Sequence, residues 1–545
     1  MQTKLTVLAF LAALIITLGC GCEKTNSAPS TVADPATSPS PPTTITVEAC
    51  ARIHWLGMKR LAAETNAASF VEVWNLPESE RLVAQTLDKL ATAPWRLLKE
   101  GTATNDAPVA LLRPLLEDLV QEESYLEMRS PTNAAWEGIF AIRLNVERAG
   151  IWSTNLKATL ESLTAGVSSP TETGWLLKGD TTPKLIELSR TGEWTLVRFA
   201  DEPSGLLAES FARVEKGGSP YQPRTTNFWL TLMLDLPRLT SAFSANSESE
   251  SNLPRIALSM IGDGANVLTR GELHYLKPLG IELDPWNVPT NLVHEPLISF
   301  TAVRGIKPWL SSQKLWSNLG LGEAPNQFYL WGLGATPFQT YFAAPSASAS
   351  NQVSKLSNWM LNEGNLWLTA NAIGSLVKLA EENGVAWSGV PFMRPTLKSV
   401  GSGDLAFLHG SFFPAAGSNR PMPVELLYSI QSRTNLVAYD WEITAPRFDG
   451  WTGVGQSLRI SLGRGRMPAD SAGITWLRAI KPRLGNSTTG LLVTGPDELL
   501  MVRNSTVGLT AVELHLLADW LESPHFPKGL HTLYAPSDLR GLKGR

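Results

Sequence analysis

Three cysteines, seven histidines and eight tyrosines are all that 545 residues contain of those types. With only Cys20, Cys22 and Cys50 available, no disulfide framework can hold the body together. Cys20 and Cys22 are separated by one residue. A redox pair has two between its cysteines, and a structural zinc site needs further ligands that no second cysteine pair supplies. Familiar catalytic signatures are missing as well. The chain has no Gly-x-Ser-x-Gly elbow, no His-Glu-x-x-His and no Gly-x-x-x-x-Gly-Lys-Ser/Thr phosphate cradle. The Gly-x-Gly pairs Gly332/Gly334, Gly453/Gly455 and Gly463/Gly465 lack a dinucleotide fingerprint and read as turn or bulge glycines. No Lys/Arg block stands out among 46 basic and 50 acidic side chains, net −4, so no nucleic-acid partner is expected. No cofactor or metal is expected either.

What the chain does have begins at its amino end. Lys4 precedes an apolar run from Leu5 to Ile16, interrupted only by Thr6. A basic start and a short apolar core describe a secretory signal, shorter than the roughly 20 residues that span a bilayer. Its exit, Leu18-Gly19-Cys20, resembles the lipobox of bacterial lipoproteins, with Thr17 where an aliphatic residue is commoner. The resemblance covers these twenty residues alone. It implies removal of residues 1–19 as a signal peptide and a diacylglyceryl group on Cys20, which becomes the first residue. Two acyl chains anchor a protein stably where one does not. The membrane would thus be a partner through Cys20. Gly21 rather than aspartate after it favours the outer membrane, facing the periplasm or the surface. Residues 20–47 are rich in Pro, Ser and Thr and poor in large apolar side chains, and so read as a disordered tether.

Beyond the tether, 43 % hydrophobic composition supports a large core and two to four modules. The expected divisions are 48–222, 223–395 and 396–545. Cys50 either pairs with Cys22 or is a buried free thiol. Of the 19 tryptophans, those inside apolar alternation, such as Trp229 and Trp367, read as core; exposed ones could stack on sugars.

A strand–turn–helix pattern recurs. Residues 68–90 alternate through Phe70-Val71-Glu72-Val73-Trp74, reach Pro77 and become helical. Residues 228–244 and 296–320 repeat the pattern, and 473–485 is a shorter fourth copy. Tight turns are expected at Thr191-Gly192-Glu193, at Gly495 to Glu498, and at Ser432 to Asn435 between alternating stretches. Helices are expected at Leu111–Glu123, Thr154–Leu163, Asn371–Asn383 with Gly384 past its end, and Thr510–Glu522, which opens with a capping box. The fold class is therefore α+β, antiparallel sheets with helices, built from repeated strand–turn–helix modules.

The best concentration of metal-ligating side chains is His515, His525 and His531 with Asp519 and Glu522. His515 and Asp519, four apart, share a helix face. They read as a solvated helix face with loop histidines, and His54 and His294-Glu295 as ordinary structural or surface residues. No catalytic residue can be named, because paired carboxylates follow no spacing rule in sequence. The chain thus reads as a non-catalytic envelope lipoprotein presenting a binding or structural surface to an envelope protein or glycan. A hydrolase acting on envelope or extracellular polymers would instead show convergent acids or histidines with shifted pKa values. A carrier of a hydrophobic ligand would show an apolar pocket of several hundred Å³.

Overall fold

The computed structural model describes residues 49–531 apart from 99–108, 130–135, 165, 180–182, 203–204, 222–227, 244–251, 335–339, 371–373, 380–383, 390–393, 402–405, 413–419 and 462–469. The signal, Cys20, Cys22 and the tether lie outside the described residues.

In chain order the first half comprises β1 (Ala49–Trp55), α1 (Met58–Leu61), α2 (Ala68–Trp74), α3 (Pro77–Leu98), α4 (Val109–Gln121), β2 (Ser124–Arg129), β3 (Glu137–Arg143), α5 (Val146–Thr164), β4 (Val167–Pro170), β5 (Gly174–Lys178), β6 (Leu185–Thr191), β7 (Trp194–Ala200), α6 (Leu206–Gly217), β8 (Leu230–Asp235), α7 (Leu236–Phe243), β9 (Arg255–Asp263) and β10 (Asn266–His274). The second comprises β11 (Leu297–Arg304), α8 (Lys307–Ser311), α9 (Lys314–Asn318), β12 (Gln327–Leu333), β13 (Thr340–Pro345), α10 (Ala349–Trp359), α11 (Asn365–Ala370), β14 (Ser375–Lys378), β15 (Gly384–Ser388), β16 (Thr396–Val400), β17 (Phe407–Ser411), α12 (Val424–Gln431), β18 (Leu436–Ile443), α13 (Thr444–Ser461), α14 (Ala472–Ile480), β19 (Asn486–Gly495), β20 (Glu498–Ser505) and α15 (Ala511–Leu521). The architecture is α+β with antiparallel pairing throughout.

The ladder of the first half runs β4-β5-β6-β7-β3-β2-β1-β8-β9-β10. The second half repeats that pairing order as β14-β15-β16-β17-β13-β12-β11-β18-β19-β20. The two ladders join where β10 pairs antiparallel with β20, Arg270 opposite Val502 and Gly271 opposite Met501. A local two-fold relation follows, because the hairpins entering the seam close alike: Asp263 faces Asn266, and Gly495 faces Glu498. The expected division at 222/223 falls between β1 and its ladder neighbour β8, and that at 395/396 precedes β16, between its neighbours β15 and β17.

Alternation of side chains gives the sheet two faces. Ile53, Leu126, Phe140, Val197 and Leu232 share a rung and therefore the face called here the front. In the first half α3, α4 and α5 bury it, with Trp152, Leu115 and Leu90 in the same core as Ile53. That core also takes in Trp476 of α14 and Leu514 of α15. Lys89 of α3 donates to the Leu521 carbonyl at 2.5 Å and Gln85 to Glu522 at 3.3 Å, fixing the carboxyl-terminal helix over the first half. On the back, α6 covers Tyr125, Ile139 and Leu196, and α12 covers Phe300, Tyr329 and Phe407.

Several local expectations hold. Thr510 and Glu513 form the capping box of α15, Gly192 turns the β6–β7 hairpin at φ +57°, and residues 495–498 turn β19 into β20. The helices expected over 111–123 and 154–163 are α4 and part of α5. Four expectations fail. Residues 68–74 form helix α2, not a strand: Phe70, Val73 and Trp74 are buried at helical spacing, which five apolar-rich residues cannot distinguish from alternation. Residues 473–485 begin in helix α14. The stretch before Ser432 is α12, with Leu426 and Ile430 buried one turn apart. Within 371–383 lies strand β14, and Gly384 opens β15. Gly374 explains it: at φ +96° it leaves the helical region, and a Cβ there would lie 2.2 Å from the Ser388 carbonyl. The stretches that do run strand-to-helix, 228–244 and 296–320, hold non-equivalent ladder positions, since β11 corresponds to β1 and β8 to β18.

Candidate functional site

Two buried ionic clusters stand out, one in each half and on opposite faces. In the first half the back face carries Glu127, fully buried. Alternation places it beside Tyr125 and Arg129 on β2 and opposite Arg52 on β1. The Tyr125 hydroxyl donates to it at 2.7 Å, Arg129 at 2.9 Å and Arg213 of α6 at 2.7 Å; Arg52 stands at 3.5 Å. Burial alone would raise the Glu127 carboxyl, but the Arg213 and Tyr125 hydrogen bonds and the surrounding guanidinium charges bring it down to about 2. Beside it, Arg129 grips both oxygens of Glu209, at 3.2 and 2.7 Å. His54 meets Glu123 at 3.0 Å and stacks on Tyr221 with ring centroids 4.4 Å apart, while Arg60 also pairs with Glu123. This is a charge-matched core: each anion has its cations.

In the second half the front face carries Asp440 and Glu442, two apart on β18. The Thr301 hydroxyl of β11 donates to Asp440 at 2.6 Å. Glu442, 4 % exposed, accepts the buried backbone N–H of Ala511, the first residue of α15, at 2.8 Å. A carboxylate at a helix amino end meets unsatisfied N–H groups and the positive end of the dipole. Yet burial pushes Glu442 up to about 7, and neighbouring Asp440 adds to the rise. Burial likewise raises Asp440. Arg447, early in α13, is the nearby cation; burial lowers its pKa, and its guanidinium lies 5.2 Å from the Trp451 ring centroid. On the same face and rung Arg503, whose charge also draws Asp440 down, pairs with Glu513 at 2.7 Å and donates to Thr489 at 3.0 Å. In this cluster burial raises both carboxyls, Glu442 to about 7, against the opposing charge of Arg447. A carboxyl raised to about 7, as in Glu442, can accept and release a proton near neutral pH.

The histidines singled out in sequence do not converge. His515 is not on a solvated face: its Nε2 lies 3.0 Å from the Phe448 carbonyl and 3.1 Å from the Thr452 hydroxyl, and burial lowers its pKa. His531 Nδ1 lies 3.1 Å from the Glu522 carbonyl. Glu522 itself accepts the Gly473 N–H at 2.6 Å at the start of α14. Among the described residues no group of three His, Cys, Asp or Glu side chains is arranged to hold a metal. Cys50 is a buried thiol that donates to the Met128 carbonyl at 3.4 Å, and burial raises its pKa to about 11.

Sequence reasoning missed Asp440 and Glu442. In Leu436–Ile443 they occupy the polar positions of a clean alternation, which reads as a solvent face. The burying element, α15, arrives from seventy residues further on. Trp229 is core as expected, but Trp367 is exposed. Its neighbour Leu368, not the indole, faces inward from α11. A void of about 30 Å³ lies between α3, α4, α14 and α15, lined by Trp74, Leu82, Leu87, Val120, Trp476 and Leu521. It has room for about two water-sized spheres, not for a lipid. Comparison with known protein families, characterised proteins and solved structures gives no match.

Proposed function

We propose that the chain is a non-catalytic lipoprotein of the bacterial envelope, held to the outer membrane through a diacylglyceryl group on Cys20, whose body presents a surface for an envelope partner. The carrying observation is the set of large apolar side chains that α8, α9, α10 and α11 leave in solvent, Trp309, Trp359 and Trp367 among them. The Leu18-Gly19-Cys20 exit supports the anchor, and among the described residues no helix is long and apolar enough to cross a membrane. We read the recurring ladder as a duplicated ten-strand unit, in place of smaller strand–turn–helix repeats. Partition into Triton X-114 tests the anchor. The wild-type protein is expected in the detergent phase and Cys20→Ala in the aqueous phase; identical partition of the two would overturn the reading.

Asp440 and Glu442 favour a second reading, a hydrolase on envelope or extracellular polymers, in which a protonated carboxyl of raised pKa acts as general acid. Turnover of purified peptidoglycan or polysaccharide that disappears in both Asp440→Asn and Glu442→Gln would establish it. Turnover retained in both variants would remove this pair from the chemistry. The small void between α3 and α15 lends the carrier reading no support.

A further inference from the structure

The connection from β11 to β12 differs between the halves. Its counterpart from β1 to β2 holds α3 and α4, which bury the front of the sheet. In the second half it holds only α8 and α9, five residues each, with no fully buried residue. On these short helices Trp309 is 65 % and Leu315 45 % exposed. The β13–β14 connection lies beside it. Gln352 of α10 donates to the Leu321 and Glu323 carbonyls at 3.1 and 2.7 Å, and Lys355 to the Gly320 carbonyl. These bonds hold α10 against the end of α9. Trp359, one turn past Lys355, is 38 % exposed, and on α11 Leu366 and Trp367 are 69 % and 62 % exposed. Asn365 fixes α11 to β14 by donating to the Leu376 carbonyl at 3.0 Å.

The patch is therefore the α8–α9 pair tethered to one helical run, in which a π-helical turn at Met360–Gly364 joins α10 to α11, with indoles and leucines outward. Charge is sparse around it and balanced: Lys307, which pairs with Glu323 and stands 3.9 Å from Glu282, Lys314 and Lys355 are matched by Glu282, Glu323 and Glu363. Outward Trp and Leu on surface helices with little net charge suit the headgroup layer of a bilayer, where an indole finds apolar and polar neighbours together. Chain length adds to the argument. The 28 residues between Cys20 and Ala49 span at most about 100 Å. A lipid on Cys20 would thus keep the patch within reach of the membrane, so that a weak contact becomes intramolecular.

We propose that this corner, Trp309, Leu315, Trp359, Leu366 and Trp367, seats in the headgroup layer of the membrane that carries the Cys20 lipid. The inference rests on the lipoprotein reading, but its test does not. The mature chain from residue 20 with Cys20→Ala, which lacks the apolar signal and cannot be lipidated, is mixed with vesicles of phosphatidylethanolamine and phosphatidylglycerol carrying brominated acyl chains, and tryptophan quenching is measured. The same protein with Trp309→Ser, Leu366→Ser and Trp367→Ser is compared, its fold checked by circular dichroism. The proposal expects quenching of the parent and a partition coefficient lower by at least about tenfold in the triple variant. No quenching, or equal quenching in both, which would place the contact elsewhere, overturns it. So does crosslinking of the patch to a protein in cells without vesicle binding. Vesicle binding through the patch with an unlipidated native Cys20 would uphold the docking while refuting the lipid anchor.

Discussion

The two halves share one pairing order and, at its central rungs, reverse its polarity. In the first half Ile53, Leu126, Leu232 and Leu234 make the front apolar, while the back holds Arg52, Glu127 and Arg129. At the matching rungs of the second half Phe300 and Trp331 make the back apolar, while the front holds Thr301, Asp440 and Glu442. Leu232 and Leu234 stand where Asp440 and Glu442 stand. Glu127 stands where Trp331 stands. The pairing order of a sheet thus leaves open which face tolerates charge; the elements laid across it decide. Arginine-bearing α6 makes Glu127 a satisfied anion. The amino end of α15 gives Glu442 one N–H and part of a dipole, which compensates burial only partly.

The largest effect should come from breaking the satisfied cluster. Glu127→Ala leaves Arg52, Arg129 and Arg213 without their shared anion, and a loss of about 3–5 kcal/mol is expected by urea denaturation. A loss below about 1 kcal/mol would mean that the arginines find solvent or other acids. The pH dependence has a definite sign. With its folded pKa at about 2, below the usual 4.5, Glu127 contributes stability above pH 4.5 that is lost as pH falls toward 2.

Glu442 should behave oppositely. Its folded pKa of about 7 exceeds the usual 4.5, so its contribution is fully present below pH 4.5 and declines as pH rises to 7. Glu442→Gln keeps the acceptor for the Ala511 N–H and abolishes this decline. Relative to wild type, the variant should therefore gain on the order of 3 kcal/mol between pH 4.5 and pH 8. Thermal melts across that range check it, and parallel pH profiles of the two proteins would contradict it.

A smaller change, about 1 kcal/mol, is expected for Glu513→Ala, which removes the capping box and the Arg503 pair while leaving Glu442 in place. Hydrogen exchange at the start of α15 should report it locally. The smallest belongs to Trp309→Ser. Its exposed indole should change stability by less than about 0.5 kcal/mol, so any loss of membrane contact in that variant would not reflect unfolding.

Much of the secondary structure was legible in the sequence. Hairpins with glycine or proline turns, the α15 capping box and the helix after Pro77 announce themselves through local chemistry. Short segments did not. Phe70–Trp74 carries too few residues to separate a helical from a strand period, and the 371–383 stretch looked helical because the conformation of Gly374 is set by Ser388 on the neighbouring strand. The long-range facts were invisible for a related reason. That β10 meets β20, that α15 lies on Glu442, and that α8 and α9 stand where the first half has α3 and α4 all depend on contacts between distant segments. Composition and periodicity do not encode those pairs. The candidate sites followed suit: of the conspicuous histidines near the carboxyl end, His515 and His531 serve as hydrogen-bonding struts, whereas the two acids of β18 were camouflaged by regular alternation.

The measurement closest to the centre of this account is the mass of the amino-terminal peptide of the native protein after membrane extraction. A peptide beginning at Cys20 and carrying a diacylglyceryl group, absent in Cys20→Ala, is the predicted result. An intact Met1, or a cleaved end without lipid, would contradict the envelope lipoprotein reading and shift weight to the hydrolase reading built on Asp440 and Glu442.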